Sequence, residues 1–391
     1  MKTLKSMRLH IGFFGKTNVG KSSLLNKITG QEVSIVSDVA GTTTDVVEKS
    51  MEFLPVGPVT FLDTAGLDDE TELAEKRIEK AMKVLNRTDI AVIVCDCNGL
   101  SDYENNLIEK LEELKIPYLI VVNKCDLAQK NIGDFENIIY TSAHTDNDLV
   151  YKFKDALVRL LPEDFVNSPK IVGDLVSAKS TVILVVPIDK EAPKGRLILP
   201  QVQTIRDLLD NECLTYVVKE SELQDALNNL KTPPALVITD SQAFKKVSEI
   251  VPENIPLTSF SILFARLKGD LDEFVKGAKA IEALKDGDKV LILESCTHHA
   301  IEDDIGRVKI PNWLKQKTGK NLVIEHFAGH DFPEISQYNL IVHCGACMTN
   351  RREILSRILI ANGKNIPITN YGITISYCLG ILPRAIKIFE K

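Results

Sequence analysis

Eight residues near the start, Gly15-Lys16-Thr17-Asn18-Val19-Gly20-Lys21-Ser22, constrain this chain more than any other feature. They fit G-x-x-x-x-G-K-S/T, and the apolar run at 9–14 before them reads as a strand while a helical pattern begins at Lys21. An ordinary glycine-rich turn needs no such strand–loop–helix setting. Glycines let backbone N–H groups converge on phosphates, and a helix N-terminus adds its positive end. Lys21 is placed to reach the β- and γ-phosphates and Ser22 to hold Mg²⁺.

Further motifs follow in the order that such a loop demands. Asp63-Thr64-Ala65-Gly66 ends an apolar run, where a carboxylate can hold Mg²⁺ through water and the Gly66 N–H can contact a γ-phosphate. Asn123-Lys124-Cys125-Asp126 follows the next strand but one; Asp126 can accept from both N1–H and the 2-amino group of guanine, whereas adenine offers neither donor. In Thr141-Ser142-Ala143 the Ala143 N–H is expected near the guanine carbonyl. Ala40-Gly41-Thr42-Thr43-Thr44-Asp45 lies where a switch loop belongs, with Thr43 favoured as the hydroxyl that completes the Mg²⁺ shell. The expected GTP/GDP contacts are therefore Gly15, Thr17, Asn18, Val19, Gly20, Lys21, Ser22, Ser23, Thr42, Thr43, Asp63, Gly66, Asn123, Lys124, Asp126, Ser142 and Ala143, with Lys21, Thr43, Asp63 and Gly66 nearest the chemistry.

These pieces, over about residues 8–162, resemble the translation-factor-like small GTPases and within them the group of the tRNA-modification GTPase. The resemblance implies a K⁺ ion beside the phosphates, held by Asn18. It also marks a departure: Leu67 after Gly66 cannot orient water as a glutamine does. Intrinsic hydrolysis is expected to be slow, helped by K⁺, by an acidic residue in 68–75 or by a partner.

With 391 residues the chain exceeds one ordinary core. Strands alternate with helical patterns throughout, which predicts an α/β fold: a P-loop NTPase doubly wound sheet followed by two further α/β domains. The expected division is 1–165 for the GTPase, a linker within 162–180, a motif-free block at 176–264 and a third block at 265–391. A net charge of −7 argues against nucleic acid as the main partner. The apolar runs are too short for a membrane span, and the basic start runs straight into a strand, unlike a cleaved signal. Eight cysteines without an export signal point to reduced thiols in a cytoplasm, with metal or redox chemistry where they cluster.

They cluster in the last block. Cys296-Thr297-His298 follows one expected strand and His343-Cys344-Gly345-Ala346-Cys347 another, with 44 residues between His298 and His343. Both segments sit just past strand ends, where βα loops of one sheet can converge. Three thiolates and a histidine suit a structural zinc or an iron–sulfur centre with one open iron, and spacing does not choose between them. The pattern C-x-H…H-C-x-x-C behind a GTPase resembles the [FeFe]-hydrogenase maturation GTPases. That resemblance implies a [4Fe-4S] cluster on Cys296, Cys344 and Cys347, with His298 or His343 near the fourth iron. It further implies a homodimer through the middle block and a scaffold role. A transient di-iron precursor would arrive from two radical-SAM maturases and pass to apo-[FeFe]-hydrogenase. The rival reading is an RNA- or ribosome-associated GTPase with a structural zinc.

Overall fold

The computed structural model describes residues 8–16, 18–30, 47–64, 81–127, 132–133, 135–162, 165, 170–188, 197–295, 304–329, 332–346 and 349–390. It divides into two compact units, 1–168 and 169–391. Thr17, Thr42, Thr43, Gly66, Cys296, His298 and Cys347 lie outside the described residues.

In the first unit the strands are β1 (Leu9–Phe14), β2 (Val47–Phe53), β3 (Gly57–Asp63), β4 (Ile90–Asp96), β5 (Tyr118–Asn123) and β6 (Ile138–Tyr140). The described helices are α1 (Lys21–Thr29), α2 (Asp102–Glu113) and α3 (Leu149–Leu160). One sheet runs β2-β3-β1-β4-β5-β6, with β2 antiparallel to β3 and every other pair parallel. Both faces are buried, which explains the unbroken apolar runs. On β4, Ile90, Val92 and Val94 enter the core that holds Phe13, Phe61 and Phe153, while Ala91, Ile93 and Cys95 enter the opposite one with Leu107 and Leu111. This is the doubly wound P-loop fold. Because β1 lies between β3 and β4, its carboxyl end opens on the crevice where such sheets bind ligands.

The second unit holds two parallel four-stranded sheets. The first joins β7 (Thr181–Val185), β8 (Leu214–Val218), β9 (Leu236–Thr239) and β10 (Leu257–Ser259) in the order β10-β9-β7-β8. Its helices are α4 (Leu199–Asp210), α5 (Leu223–Asn229), α6 (Phe244–Ile250) and α7 (Phe260–Lys268). The second sheet joins β11 (Lys289–Glu294), β12 (Val323–Ala328), β13 (Leu340–His343) and β14 (Ile368–Asn370) in the order β12-β11-β13-β14. Around it lie α8 (Leu271–Lys279), α9 (Ile310–Thr318), α10 (Arg351–Gly363) and α11 (Tyr371–Cys378), while α12 (Leu382–Ile386) packs on β10 of the first sheet.

Ile183 and Val237 of the first sheet share a hydrophobic core with Ile292 and Ile341 of the second, so the two blocks pack as one body. The boundary expected at 264/265 falls inside α7, a continuous helix capped by Ser259 and ending at Gly269. Among the described residues no helix is long and apolar enough to cross a membrane.

Candidate functional site

The loop after β1 is shaped by two glycines. At Gly15 (φ +140°) a Cβ would lie 2.0 Å from the Val94 carbonyl oxygen, and at Gly20 (φ +95°) 2.3 Å from Nδ2 of Asn123. Gly20 caps α1 with no side-chain hydrogen bond, which leaves the first N–H groups of that helix for an anion. Lys21 is buried, and its ammonium donates to the carbonyls of Gly15 at 2.5 Å and Lys16 at 2.9 Å, which holds it under the loop. Ser22 Oγ donates to Asp63 Oδ2 at 3.3 Å. The two residues expected around Mg²⁺ are thus adjacent, a hydroxyl and a carboxylate, the donor types that ion prefers.

The guanine motif is knitted to the phosphate loop. Asn123 Nδ2 donates to the Val19 carbonyl at 2.9 Å, and its Oδ1 accepts from the Ala143 N–H at 3.0 Å. In this conformation that N–H is engaged within the motif. Lys124, in left-handed conformation (φ +62°), donates to the Asn18 carbonyl at 2.5 Å, and Asn18 shares that conformation (φ +64°). Asp126 is exposed and available to a ligand. Ser142 Oγ is buried with no hydrogen-bond partner among the described residues, an orphan that a bound nucleotide can satisfy. Val19 is buried and Ser23 sits exposed on the first turn of α1.

One supporting residue was not singled out from the sequence. Glu104 is buried on α2, accepts from the Lys16 N–H at 3.2 Å and pairs with Ser101 in a capping box. The signature Ser101-x-x-Glu104 was there to be read.

In the second unit, β11 and β13 are neighbours, with Leu293 opposite His343. Their carboxyl ends bring Ser295 against Cys344. The Ser295 N–H donates to Cys344 Sγ at 3.3 Å, and the Cys344 N–H to the Leu293 carbonyl at 2.8 Å. Cys296 is the next residue in the chain after Ser295. Burial alone would push the Cys344 thiol up, but His343, Ser295 and the Ala346 N–H outweigh it and hold the thiol below its ordinary range.

His343 is 1% exposed and both ring nitrogens are engaged. Nδ1 lies 2.8 Å from the Cys344 carbonyl and Nε2 lies 2.6 Å from Nη1 of Arg357. A guanidinium only donates, so Nε2 accepts from it. In this conformation both ring nitrogens are committed to protein partners. Arg357 also donates to the Gly329 carbonyl at 3.1 Å and to Glu353 at 2.7 Å, so one buried guanidinium joins β13, α10 and the end of β12. Among the described residues no group of three or more His, Cys, Asp or Glu side chains is disposed to hold a metal ion.

Three family models match in series. One described as 50S ribosome-binding GTPase covers residues 10–124. The hydrogen maturase F dimerization domain covers 171–269, and the hydrogen maturase F tetramerization domain covers 272–388. The tRNA modification GTPase MnmE of Prochlorococcus marinus is 40% identical over 148 residues, 36% of this chain and 32% of that protein. GTPase Der of Clostridium botulinum is 30% identical over 235 residues, 58% of this chain and 45% of that protein. The chain thus spans less than half the length of either relative. The likeness to MnmE supports the first unit alone as a GTPase domain. The two hydrogen maturase F models together take up more than half of the chain, and behind that GTPase domain they make it a member of the hydrogen maturase F family.

Proposed function

We propose that this chain is a GTPase scaffold for [FeFe]-hydrogenase maturation, with Cys296, Cys344 and Cys347 holding a [4Fe-4S] cluster and a di-iron precursor as cargo. The observation that carries the reading is the Ser295 N–H on Cys344 Sγ, which sets the residue before Cys296 in the chain against the first cysteine of the H-C-x-x-C segment. Hydrogen bonds to sulfur stabilise thiolate charge, as a cluster ligand requires. A centre with three thiolates keeps one exchangeable iron corner, which suits a protein that accepts cargo and releases it. Two radical-SAM maturases would supply the precursor and apo-[FeFe]-hydrogenase would receive it.

GTP acts here as a switch on partner contacts. Lys21 supplies charge to the phosphates, Ser22, Asp63 and Thr43 hold Mg²⁺, and Gly66 senses the γ-phosphate. With Leu67 in place of a water-orienting side chain, turnover is slow and relies on K⁺ at Asn18. A homodimer forms through the edge strand β8, where Leu214, Tyr216 and Val217 are exposed on an unpaired edge.

The test is anaerobic reconstitution with iron and sulfide. Native protein is expected to turn brown with a broad band near ~400 nm and about four irons per chain. Serine at Cys296, Cys344 or Cys347 abolishes or cripples that centre and hydrogenase activation while GTP hydrolysis survives. Stoichiometric zinc in protein purified without oxygen would overturn the reading in favour of a structural zinc, and full iron in Cys296→Ser would overturn the ligand set.

A further inference from the structure

A buried ammonium ties the dimerization block to the loop that carries Cys347. Lys268, the last residue of α7, is 4% exposed. Its Nζ donates to the Ala346 carbonyl and lies 3.4 Å from that of Thr349. Those two residues bracket Cys347 and Met348 in the chain. Ala346 is in left-handed conformation (φ +56°), and its oxygen also accepts from the Thr349 N–H at 3.3 Å and Oγ1 at 3.2 Å. From the other side Arg351, the first residue of α10, returns Nη1 to the Leu267 carbonyl at 2.6 Å. The end of α7 and this loop are therefore cross-tied in both directions.

Packing does not require a lysine at this place. A methionine fills similar volume without the desolvation penalty of a buried charge. Carbonyl dipoles and the Phe264 ring, 5.7 Å from Nζ, help to offset that penalty. We propose that Lys268 is a positioning residue for the cluster loop: it fixes the turn between Ala346 and Thr349 from α7 and sets a positive charge beside the cluster. This rests on the cluster reading above.

Lys268→Met separates the two. In iron-free protein, amide exchange at 345–350 should rise about tenfold or more while β7 amides keep their native rates. In reconstituted protein, iron release to a chelator should quicken about 10- to 100-fold. The reduction potential should fall, because a positive charge that favours the reduced cluster is gone, and Lys268→Arg should restore it. A measurement on the unmutated chain guards against a variant that fails to fold. An amine-labelling reagent should modify Lys276, whose side chain is 77% exposed, well before Lys268. Native exchange, release and potential in Lys268→Met would overturn the proposal, as would labelling of Lys268 at the rate of Lys276. Should native protein take up no iron, the cluster reading falls, and the exchange result still decides the tie.

Discussion

Nη1 of Arg357 stands 2.6 Å from Nε2 of His343, and that contact holds the ring in place beside the Cys344 loop. His343→Ala leaves a buried guanidinium short of an acceptor, which should lower the stability of the second unit by about 1–3 kcal/mol in urea unfolding. The cluster should still assemble, whereas His298→Ala should leave it assembled with an altered spectrum. Iron content that collapses in His343→Ala at unchanged stability would make His343 a ligand after all.

Asp126 is the exposed carboxylate of the base motif, so Asp126→Asn should weaken GTP binding by up to ~10⁴-fold and improve binding of the xanthine analogue. Competition binding against both nucleotides reads this out. ATP bound as tightly as GTP by the native protein would defeat the assignment.

Asn18 and Leu67 together predict slow hydrolysis in Na⁺ and faster hydrolysis in K⁺. The comparison is made at equal ionic strength, since screening alters charge effects in both salts. Equal turnover would remove the K⁺ ion from the site and leave the GTPase untouched.

A lysine at Val217, in the exposed edge strand β8, should weaken the homodimer by about 2 kcal/mol, roughly thirtyfold in dissociation constant. Light scattering over a dilution series checks it, and an unchanged dimer places the contact elsewhere.

Gly20→Ala meets both a positive φ and the Asn123 amide, so it should loosen the phosphate loop at a cost of about 1–3 kcal/mol. Loss of GTP affinity by isothermal titration, with a native melting profile for the second unit, is the expected pattern.

Central parallel strands were legible because burial on both faces writes them as apolar runs: the run expected at 9–14 coincides with β1, and β4 and β5 are runs of the same kind. β2 was missed because Val47-Glu-Lys-Ser-Met-Glu-Phe53 is a polar edge strand whose pairing with β3 is antiparallel. β10 and β14 have three residues each and leave no periodicity to detect. The phosphate-loop and base motifs are contiguous in sequence, so they could be read directly. Arg357 and Lys268 could not, since each meets its partners only through the packing of α10 and α7 onto strand ends far away in the chain.

Asn123 joins the carbonyl of Val19 to the amide of Ala143, so base pocket and phosphate loop hang on one side-chain amide. Departure of the base and slackening of the phosphate grip then become a single event, and a partner that hastens nucleotide exchange need only pry at one of them. It also binds the two motifs together in evolution: position 123 cannot drift to another residue unless the backbone at 19–20 finds a new anchor.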